Sequence, residues 1–398
     1  MAETFDASNL TARERRLSLG AVYACMFAVG VGMGLSLPLL SLILERNGVS
    51  ATLNGANTTV GALAMIVVSP FIPAIAARLG TARFLIACYI VAAAALVSFR
   101  ATNDLVAWFI LRFVLNSALQ GLFIVSEVWI NQIAAESNRG RLVAIYTSIF
   151  SAGFALGPLI IQGLGTTGWA PFIAGGAAML LAMVPVLVVG HLVPAVEHAP
   201  ARAMFGFILR SPSAAAAGAG YGAIEACAAT FLTIYAVRLG SPETDATLLV
   251  AALGLGNMLL VPFLGWLADK IDRRSVLMLC GFAGVIGAAL LPATGGAGLA
   301  GLILVFIWGG FIAGLYAVGL AHLGANFKGS ELAAANAAYA ILYALGSMVG
   351  PGLGGIGMDV WTPQGLPIVL GLISAALVAV IAVRAATIPR PRSGPTPG

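Results

Sequence analysis

The chain of 398 residues alternates long apolar runs with short polar interruptions. A helix needs about 20 apolar residues to cross a bilayer. Twelve runs are of about that length, which predicts twelve transmembrane helices and an all-α integral membrane fold. We place them at about residues 19–44, 52–77, 83–99, 105–133, 142–165, 170–193, 213–237, 246–268, 275–292, 297–325, 331–357 and 365–386.

The longest polar interruption separates two sets of six helices. It is the stretch 194–211, PAVEHAPARAMFGFILRS, which contains two prolines and two arginines. We therefore predict an N-terminal six-helix bundle over residues 1–193, a linker over 194–211 and a C-terminal six-helix bundle over 212–398. The last residues, PRPRSGPTPG, are typical of a short disordered tail.

One skeleton of residues occurs twice, half a chain apart. Residues 146–158 read YTSIFSAGFALGP and residues 339–351 read YAILYALGSMVGP, so Tyr, Gly, Gly and Pro recur at an offset of 193. Small residues let membrane helices pack closely, and proline permits a bend. Internal duplication at this scale is typical of transporters. We predict that the repeated positions form an interface or hinge where the halves meet: Gly153, Gly157, Pro158, Gly346, Gly350 and Pro351.

Composition and charge exclude other classes of protein. Charged residues make up 9% of the chain, against about 25% in soluble proteins. Sixteen of the 20 Lys and Arg residues fall on the side of the N-terminus, Arg46, Arg100 and Arg238 fall on the other side, and Arg112 lies within a helix. This asymmetry predicts that both termini are cytoplasmic. The net charge of +5 then reflects topology, and a nucleic-acid partner is not expected.

Helix 4 carries an unusual polar stripe. With Arg112 at 0° on the helical wheel, Phe123, Asn116, Glu127 and Gln120 follow within about 80°. Lipid would make such a stripe very costly, so it must face protein or a water-filled cavity. We predict that Arg112, Asn116, Gln120 and Phe123 line a substrate cavity.

Glu225 is the principal candidate for proton coupling. It lies about twelve residues into helix 7, which at about 1.5 Å per residue is close to the bilayer midplane. Tyr221 is one turn earlier and is assigned to the cavity. Burial disfavours a charged carboxylate, which favours proton loading. The alternatives are a static partner of Arg112 and a protonated, hydrogen-bonded core acid.

Glu127 is a second candidate for proton coupling. It lies closer to the predicted cytoplasmic end of helix 4, where the loop arginines Arg78 and Arg83 offer a purely structural alternative as ion-pair partners. His322, late in helix 10, is assigned to the cavity as a polar residue, with a proton relay as the other interpretation.

A loop motif resembles a known family. GWLADKIDRRSVL, from Gly265, resembles the GxLaDrxGrr loop of the major facilitator superfamily, with Asp272 in place of the second glycine. Its counterpart PAIAARLGTARFL, from Pro73, keeps Gly80 but has Ala77 at the acidic position. Four further stretches resemble the YcaD-like branch: SEVWINQ (126–132), NRGRLVAIY (138–146), GLYAVGLAHLG (314–324) and ELAAANAAY (331–339).

The resemblance covers the whole chain and implies a major facilitator fold. In that fold helices 1, 4, 7 and 10 line the cavity, which agrees with the stripe on helix 4. The resemblance also implies a cytoplasmic gate at Asp269, Arg273 and Arg274, together with Arg78 and Arg83 of the equivalent loop. The glycine-proline run of helix 5 resembles that of proton-driven antiporters.

Three functions remain open on this basis. The first is a secondary active transporter that exports a small organic solute by alternating access and proton antiport. The second is a proton symporter that imports a sugar, osmolyte or organic acid. The third is a membrane sensor or scaffold that does not transport. Arg112 favours an anionic or polar substrate, whereas Glu225 favours a cation.

No enzymatic chemistry is indicated. The chain has neither a phosphate-binding loop nor a dinucleotide fingerprint, and its four cysteines fall in apolar segments without CxxC spacing, so no metal site is predicted. We expect no cofactor, a proton gradient as driving force, and a monomer in a bacterial cytoplasmic membrane whose partners are protons, the small-molecule substrate and lipid.

Overall fold

Helices account for nearly all of the structure. The computed structural model describes residues 11–134, 139–194, 211–326 and 329–387. Within these ranges twelve helices are long and apolar enough to span a membrane, which confirms the all-α membrane fold. They are α1 Ala12–Arg46, α2 Ala51–Leu79, α3 Thr81–Ala101, α4 Leu105–Ile133, α5 Arg139–Leu164, α6 Ala170–Val189, α7 Pro212–Arg238, α8 Glu243–Lys270, α9 Arg273–Leu290, α10 Leu299–Asn326, α11 Gly329–Val360 and α12 Gly365–Thr387.

The polar caps extend the helices beyond their apolar runs. The first helix begins at Ala12 rather than near residue 19, because Thr11 and Glu14 form a capping box. The Thr11 backbone N–H donates to Glu14 Oε2 at 2.9 Å, and the Glu14 N–H donates to Thr11 Oγ1 at 3.2 Å. This pair satisfies backbone donors that have no partner within the helix. The apolar pattern therefore predicts the membrane-spanning part of α1, and the cap determines where the helix starts.

Most of the linker and the tail fall outside the structural description. Residues 195–210 of the linker and the predicted disordered end, 388–398, lie outside the described residues. The buried apolar side chains nevertheless form one large cluster within Ala21–Leu192 and a second one mainly within Ala217–Ile381. Each six-helix half therefore has its own core.

Within the N-terminal half, α5 packs on α1 through glycine. A Cβ atom on Gly153 would lie 2.4 Å from the Phe27 carbonyl oxygen, and one on Gly157 would lie 2.2 Å from the Leu35 nitrogen. Real Cβ atoms do not approach backbone this closely, so only glycine permits the contact. Close backbone approach of this kind is a principal source of helix association in membranes.

The C-terminal half repeats this packing between α11 and α7. A Cβ atom on Gly346 would lie 1.9 Å from the Ala219 carbonyl oxygen, and one on Gly350 would lie 2.0 Å from that of Ala223. All four glycines of the repeated skeleton therefore contact helices of their own half. They hold each bundle together in this conformation, and their predicted role as an interface or hinge where the halves meet stays a prediction.

The two prolines of the skeleton do lie between the halves. The Pro158 carbonyl oxygen accepts a hydrogen bond from Thr247 Oγ1 of α8 at 3.3 Å. The Pro351 carbonyl oxygen faces α2, where a Cβ atom on Gly55 would approach it to 2.2 Å. Helices α5 and α11 thus use one face within their own half and another against the opposite half.

Two ion pairs join the halves where α1 ends. We call that end of the molecule the outer face, and the end where α1 begins the inner face. Glu45 forms a two-point ion pair with Arg238 of α7, with distances of 2.7 Å to Nε and 3.0 Å to Nη2. Arg46 pairs with Glu243 at the start of α8. We call these two ion pairs the outer latch.

A helix cap adds a third contact at the outer face. The Asp359 carboxylate, at the end of α11, accepts hydrogen bonds from the backbone N–H groups of Ala51 at 2.9 Å and Thr52 at 2.8 Å. These residues begin α2 in the other half, so the negative charge also meets the positive end of the α2 dipole.

The described polar contacts between the halves lie on the outer side of mid-helix. The innermost hydrogen bond between the halves in the described part of the chain joins Thr59 Oγ1 of α2 to the Met348 carbonyl oxygen of α11, at 2.7 Å near mid-helix. Closer to the inner face, Glu127 of α4 is exposed. The outer face of the structure is therefore closed.

We predict that Gly157→Val destabilises the protein by about 1–3 kcal/mol, the usual cost of overpacking a close contact. Gly163→Val is the matched control on the same helix, because a Cβ atom there meets nothing within 4 Å. Thermal unfolding of the purified variants in detergent measures the difference. Equal melting temperatures would contradict the proposed role of close glycine packing.

We predict that Arg238→Gln opens the outer face, because it removes the two-point ion pair to Glu45. Spin labels at Asn47 and Asp245, both exposed near the latch, should move apart in double electron–electron resonance. The swap Glu45→Arg with Arg238→Glu should restore the distance. Arg100→Gln is the control, since Arg100 lies over the Trp169 ring within the same half. An unchanged distance in Arg238→Gln would show that the latch does not hold this face closed.

Candidate functional site

Glu225 lies in a cage of neutral hydrogen-bond donors from three helices. Tyr221, one turn earlier on α7, donates its hydroxyl at 2.5 Å. Tyr343 of α11 donates at 3.1 Å, and Asn257 Nδ2 of α8 donates at 3.3 Å. In the part of the chain that the structure describes, no cationic side chain forms an ion pair with Glu225. Neutral donors hold the carboxylate in place without neutralising it, so its charge remains available to a proton or a cationic ligand.

Three tyrosine rings form one wall of this site. The ring centroids of Tyr221 and Tyr316 are 5.4 Å apart, those of Tyr221 and Tyr343 are 5.5 Å apart, and those of Tyr316 and Tyr343 are 5.6 Å apart. Such distances are typical of favourable aromatic contacts. All three side chains and Glu225 are half-buried. The site therefore combines a negative charge with π faces, a combination suited to organic cations.

Tyr316 also relates Glu225 to the acid of the other half. Its phenol lies within electrostatic reach of both Glu127 and Glu225. Glu127 comes from α4 and is exposed, whereas Glu225 comes from α7. The charges of the two predicted proton-coupling acids, one from each half, both act on this tyrosine.

Arg112 lies apart from this cage, packed against α2. Its side chain is 1% exposed, and Nε donates to Asn57 Oδ1 at 2.9 Å. Within the described residues no carboxylate lies within ion-pair distance of the guanidinium. Arg112 and Glu225 therefore do not pair in this structure, and the alternative of a static ion pair between them does not hold here.

The rest of the helix 4 stripe packs on α2 at its outer end and is more exposed at its inner end. Asn116 donates to the Arg112 carbonyl oxygen at 2.9 Å, and its amide packs where a Cβ atom on Gly61 would come within 2.8 Å. Gln120 donates to Ser69 Oγ at 3.0 Å. Further along, Phe123 is half-buried and Glu127 is exposed. The substrate cavity that these residues were expected to line stays a prediction.

The contacts that the structure describes for Asp269 and Arg273, predicted gate residues of the α8–α9 loop, lie within their own half. Arg273 lies 3.9 Å from Asp269 and donates to the Ala321 carbonyl oxygen of α10 at 3.1 Å. His322, next to that carbonyl group, is half-buried near the charges of Arg273 and Arg274. Asp269, Arg273 and Arg274 remain predicted gate residues.

The corresponding loop between α2 and α3 presents its arginines to solvent. Arg78 and Arg83 are both exposed. Neither forms an ion pair with Glu127 in the described ranges, so the structural alternative for Glu127 is not realised in this conformation. Arg78 and Arg83 remain predicted gate residues for another conformation.

Several site residues were missed from the sequence. Tyr316 and Tyr343 lie 193 residues after Phe123 and Phe150, the offset of the repeated skeleton. The C-terminal half therefore has hydroxyl groups where the N-terminal half has bare phenyl rings. Comparing the two copies at this offset would have identified both tyrosines.

The outer latch was also missed, although the same offset marks it. Arg238 lies 193 residues after Glu45, so equivalent ends of α1 and α7 have opposite charges and bind each other. Reading the repeat for differences as well as identities would have found this pair.

Comparison with known proteins agrees with the fold. The family profile of the Major Facilitator Superfamily matches residues 22–242 and again 213–398. The uncharacterized MFS-type transporter YfkF of Bacillus subtilis is 27% identical over 347 residues, which cover 82% of this chain and 85% of YfkF. The quinolone resistance protein NorA of Staphylococcus aureus is 33% identical over 135 residues, 32% of this chain and 33% of NorA.

Solved transporter structures share the fold. The nucleoside transporter NupG has a TM-score of 0.72 at 13% identity, over 94% of this chain and 98% of NupG. A bacterial homologue of the human lysosomal transporter Spinster, in an inward-facing and unoccupied conformation, has a TM-score of 0.72 at 14% identity, over 95% of this chain and 96% of the homologue. These relatives and neighbours are transporters rather than enzymes. The chain belongs to the Major Facilitator Superfamily and is a secondary transporter.

Proposed function

We propose that this protein exports a small organic cation in exchange for protons. The observation that carries the proposal is the Glu225 carboxylate, held by three neutral donors and half-buried near the middle of α7. A charge in that position is costly unless a proton or a counter-ion accompanies it. Competition between proton and substrate for one carboxylate is sufficient to couple their opposite movements.

The positions of the charges support a cationic substrate. Arg112, which favoured an anion, is buried against α2. The cage instead presents Glu225 and the rings of Tyr221, Tyr316 and Tyr343. A carboxylate and aromatic faces together attract an amine-bearing or quaternary ammonium compound and repel an anion.

The direction of transport rests on similarity and on topology. The partial match to the NorA quinolone resistance protein supports export. The distribution of Lys and Arg supports a cytoplasmic inner face, and we propose that the site opens to this side. Loading from the cytoplasm follows from that orientation. We place the protein as a monomer in a bacterial cytoplasmic membrane; its assignment to the YcaD-like branch remains a prediction.

Alternating access would exchange one set of contacts for another. In the inward-open state the halves are held by the outer latch, by Asp359 on the start of α2, and by the carbonyl groups of Pro158 and Pro351. In the outward-open state these contacts break. Asp269, Arg273, Arg78 and Arg83 then become available for contacts across the inner face.

We predict that Glu225→Gln abolishes proton-driven accumulation and weakens exchange of a cationic substrate, because glutamine has a similar size but carries no charge and cannot bind and release a proton. Proteoliposomes with an imposed pH gradient measure accumulation, and counterflow of labelled substrate measures exchange. The exposed Asp245→Asn variant, at the outer end of α8, is the control. Undiminished uphill transport by Glu225→Gln would remove Glu225 from the coupling mechanism.

The same vesicles distinguish antiport from symport. An antiporter accumulates substrate in vesicles whose interior is acidic, whereas a proton symporter requires an acidic exterior. Accumulation with an acidic exterior would therefore overturn the proposed export.

We predict that cationic ligands stabilise the purified protein more than anionic ligands with the same hydrocarbon skeleton. A quaternary ammonium compound and the matching sulfonate form a suitable pair for thermal-shift measurements. Tyr316→Leu should reduce the shift, since it removes one aromatic wall but leaves the Glu225 donors in place. Stabilisation by the sulfonate alone would contradict a cationic substrate.

A further inference from the structure

Arg112 is a buried cation without a counter-charge in the described part of the chain. It is 1% exposed and lies within α4. Its hydrogen-bond partner on α2 is the amide of Asn57, which is 0% exposed and carries no charge. A lone guanidinium within a membrane-spanning helix is strongly disfavoured unless a negative charge accompanies it.

The donors around Arg112 are also incompletely used. Nε donates to Asn57 Oδ1, but Nη2 has no acceptor in the described chain. Because Asn57 Oδ1 accepts that bond, the Asn57 amide must turn its NH₂ group away from Nε. This Nδ2 is likewise buried without an acceptor. Two buried N–H donors without an acceptor, one of them charged, therefore belong to side chains that are joined by one hydrogen bond.

Ser41 of α1 provides a further unpaired group nearby in the same packing. Asn54, one turn before Asn57, donates its Nδ2 to the Ser41 carbonyl oxygen at 3.0 Å and so connects α2 to α1. The Ser41 hydroxyl is buried with no partner in the described residues, as is Asn54 Oδ1. A hydroxyl group can donate, whereas the Asn54 oxygen can only accept. The unpaired groups of Arg112, Asn57, Asn54 and Ser41 therefore include more donors than acceptors and carry a positive charge, which favours an anionic ligand.

We propose that Arg112 Nη2 and Asn57 Nδ2 bind a small monovalent inorganic anion of the chloride class between α1, α2 and α4. Water can accept from these donors but cannot balance the charge, and an anion does both. One guanidinium calls for a single negative charge, and burial between packed helices excludes a large organic anion. This site does not overlap the Glu225 cage, so it is independent of the proposed function and joins helices of the N-terminal half.

Direct binding tests the proposal. The purified full-length protein in detergent and gluconate buffer is dialysed to equilibrium against radioactive chloride. We expect one saturable chloride site per chain, displaced by bromide and not by gluconate. Since a ligand that binds only the folded state stabilises it, chloride should also raise the melting temperature relative to gluconate at equal ionic strength.

Asn57→Asp is the informative variant, because it places a carboxylate against Arg112 and supplies the missing charge within the protein. We expect it to lose saturable chloride binding and the chloride effect on melting, yet to unfold in gluconate at a temperature no lower than the wild type. That melting temperature also shows that the variant is folded. Asn131→Asp is the matched control, since Asn131 is exposed one turn after Glu127 and donates to its carbonyl oxygen at 2.8 Å. It should bind chloride like the wild type.

Two results would overturn the proposal. The first is a wild-type protein with no saturable chloride site and the same melting temperature in chloride and gluconate, which would mean that water alone solvates the Arg112 donors. The second is Asn57→Asp binding chloride as tightly as the wild type, which would place any chloride site elsewhere. Neither result bears on proton exchange at Glu225.

Discussion

Close backbone contact between helices is the constraint on which the rest of this structure depends. Lipid is as apolar as a leucine side chain, so burial of apolar groups does little to bring membrane helices together. Packing α5 on α1 and α11 on α7 at Gly153, Gly157, Gly346 and Gly350 supplies the association instead. Each half is thereby held as a bundle with its own core. Bundles that keep their internal packing can move relative to each other without unfolding.

The contacts between the halves include polar contacts at the outer face. Across the halves the structure has ion pairs, a helix cap, and hydrogen bonds from threonine hydroxyls to the carbonyl groups of Pro158 and Met348. Ion pairs at an accessible face can be exchanged for water at modest cost. Close backbone packing also joins the halves, since a Cβ atom on Gly55 would lie 2.2 Å from the Pro351 carbonyl oxygen. A transporter whose halves move about a central site must exchange the polar contacts of the outer face.

The two intramembrane charges have different surroundings and therefore different roles. Glu225 is surrounded by neutral donors and aromatic rings and remains half-buried, so a mobile ligand can reach it. Arg112 is shielded by packed helices and has unused donors, so whatever balances its charge must be small and resident. From the sequence, both residues were candidates for the same cavity. Hydropathy identifies a membrane-spanning helix, but it does not show which other helix each of its faces contacts.

The sequence by itself determined the number of helices, the duplicated halves and the acid near the middle of α7, because length, apolar content and spacing along one helix are local properties. The partners of each polar group depended on the tertiary structure. The relative rotation of helices that are far apart in sequence decides three points. It decides whether Arg112 faces α2 or a cavity, whether the glycines pack within a half or between halves, and which donors surround Glu225. The pairing of Glu45 with Arg238 depended on it as well, because a repeat offset identifies equivalent positions but does not show that the two positions meet.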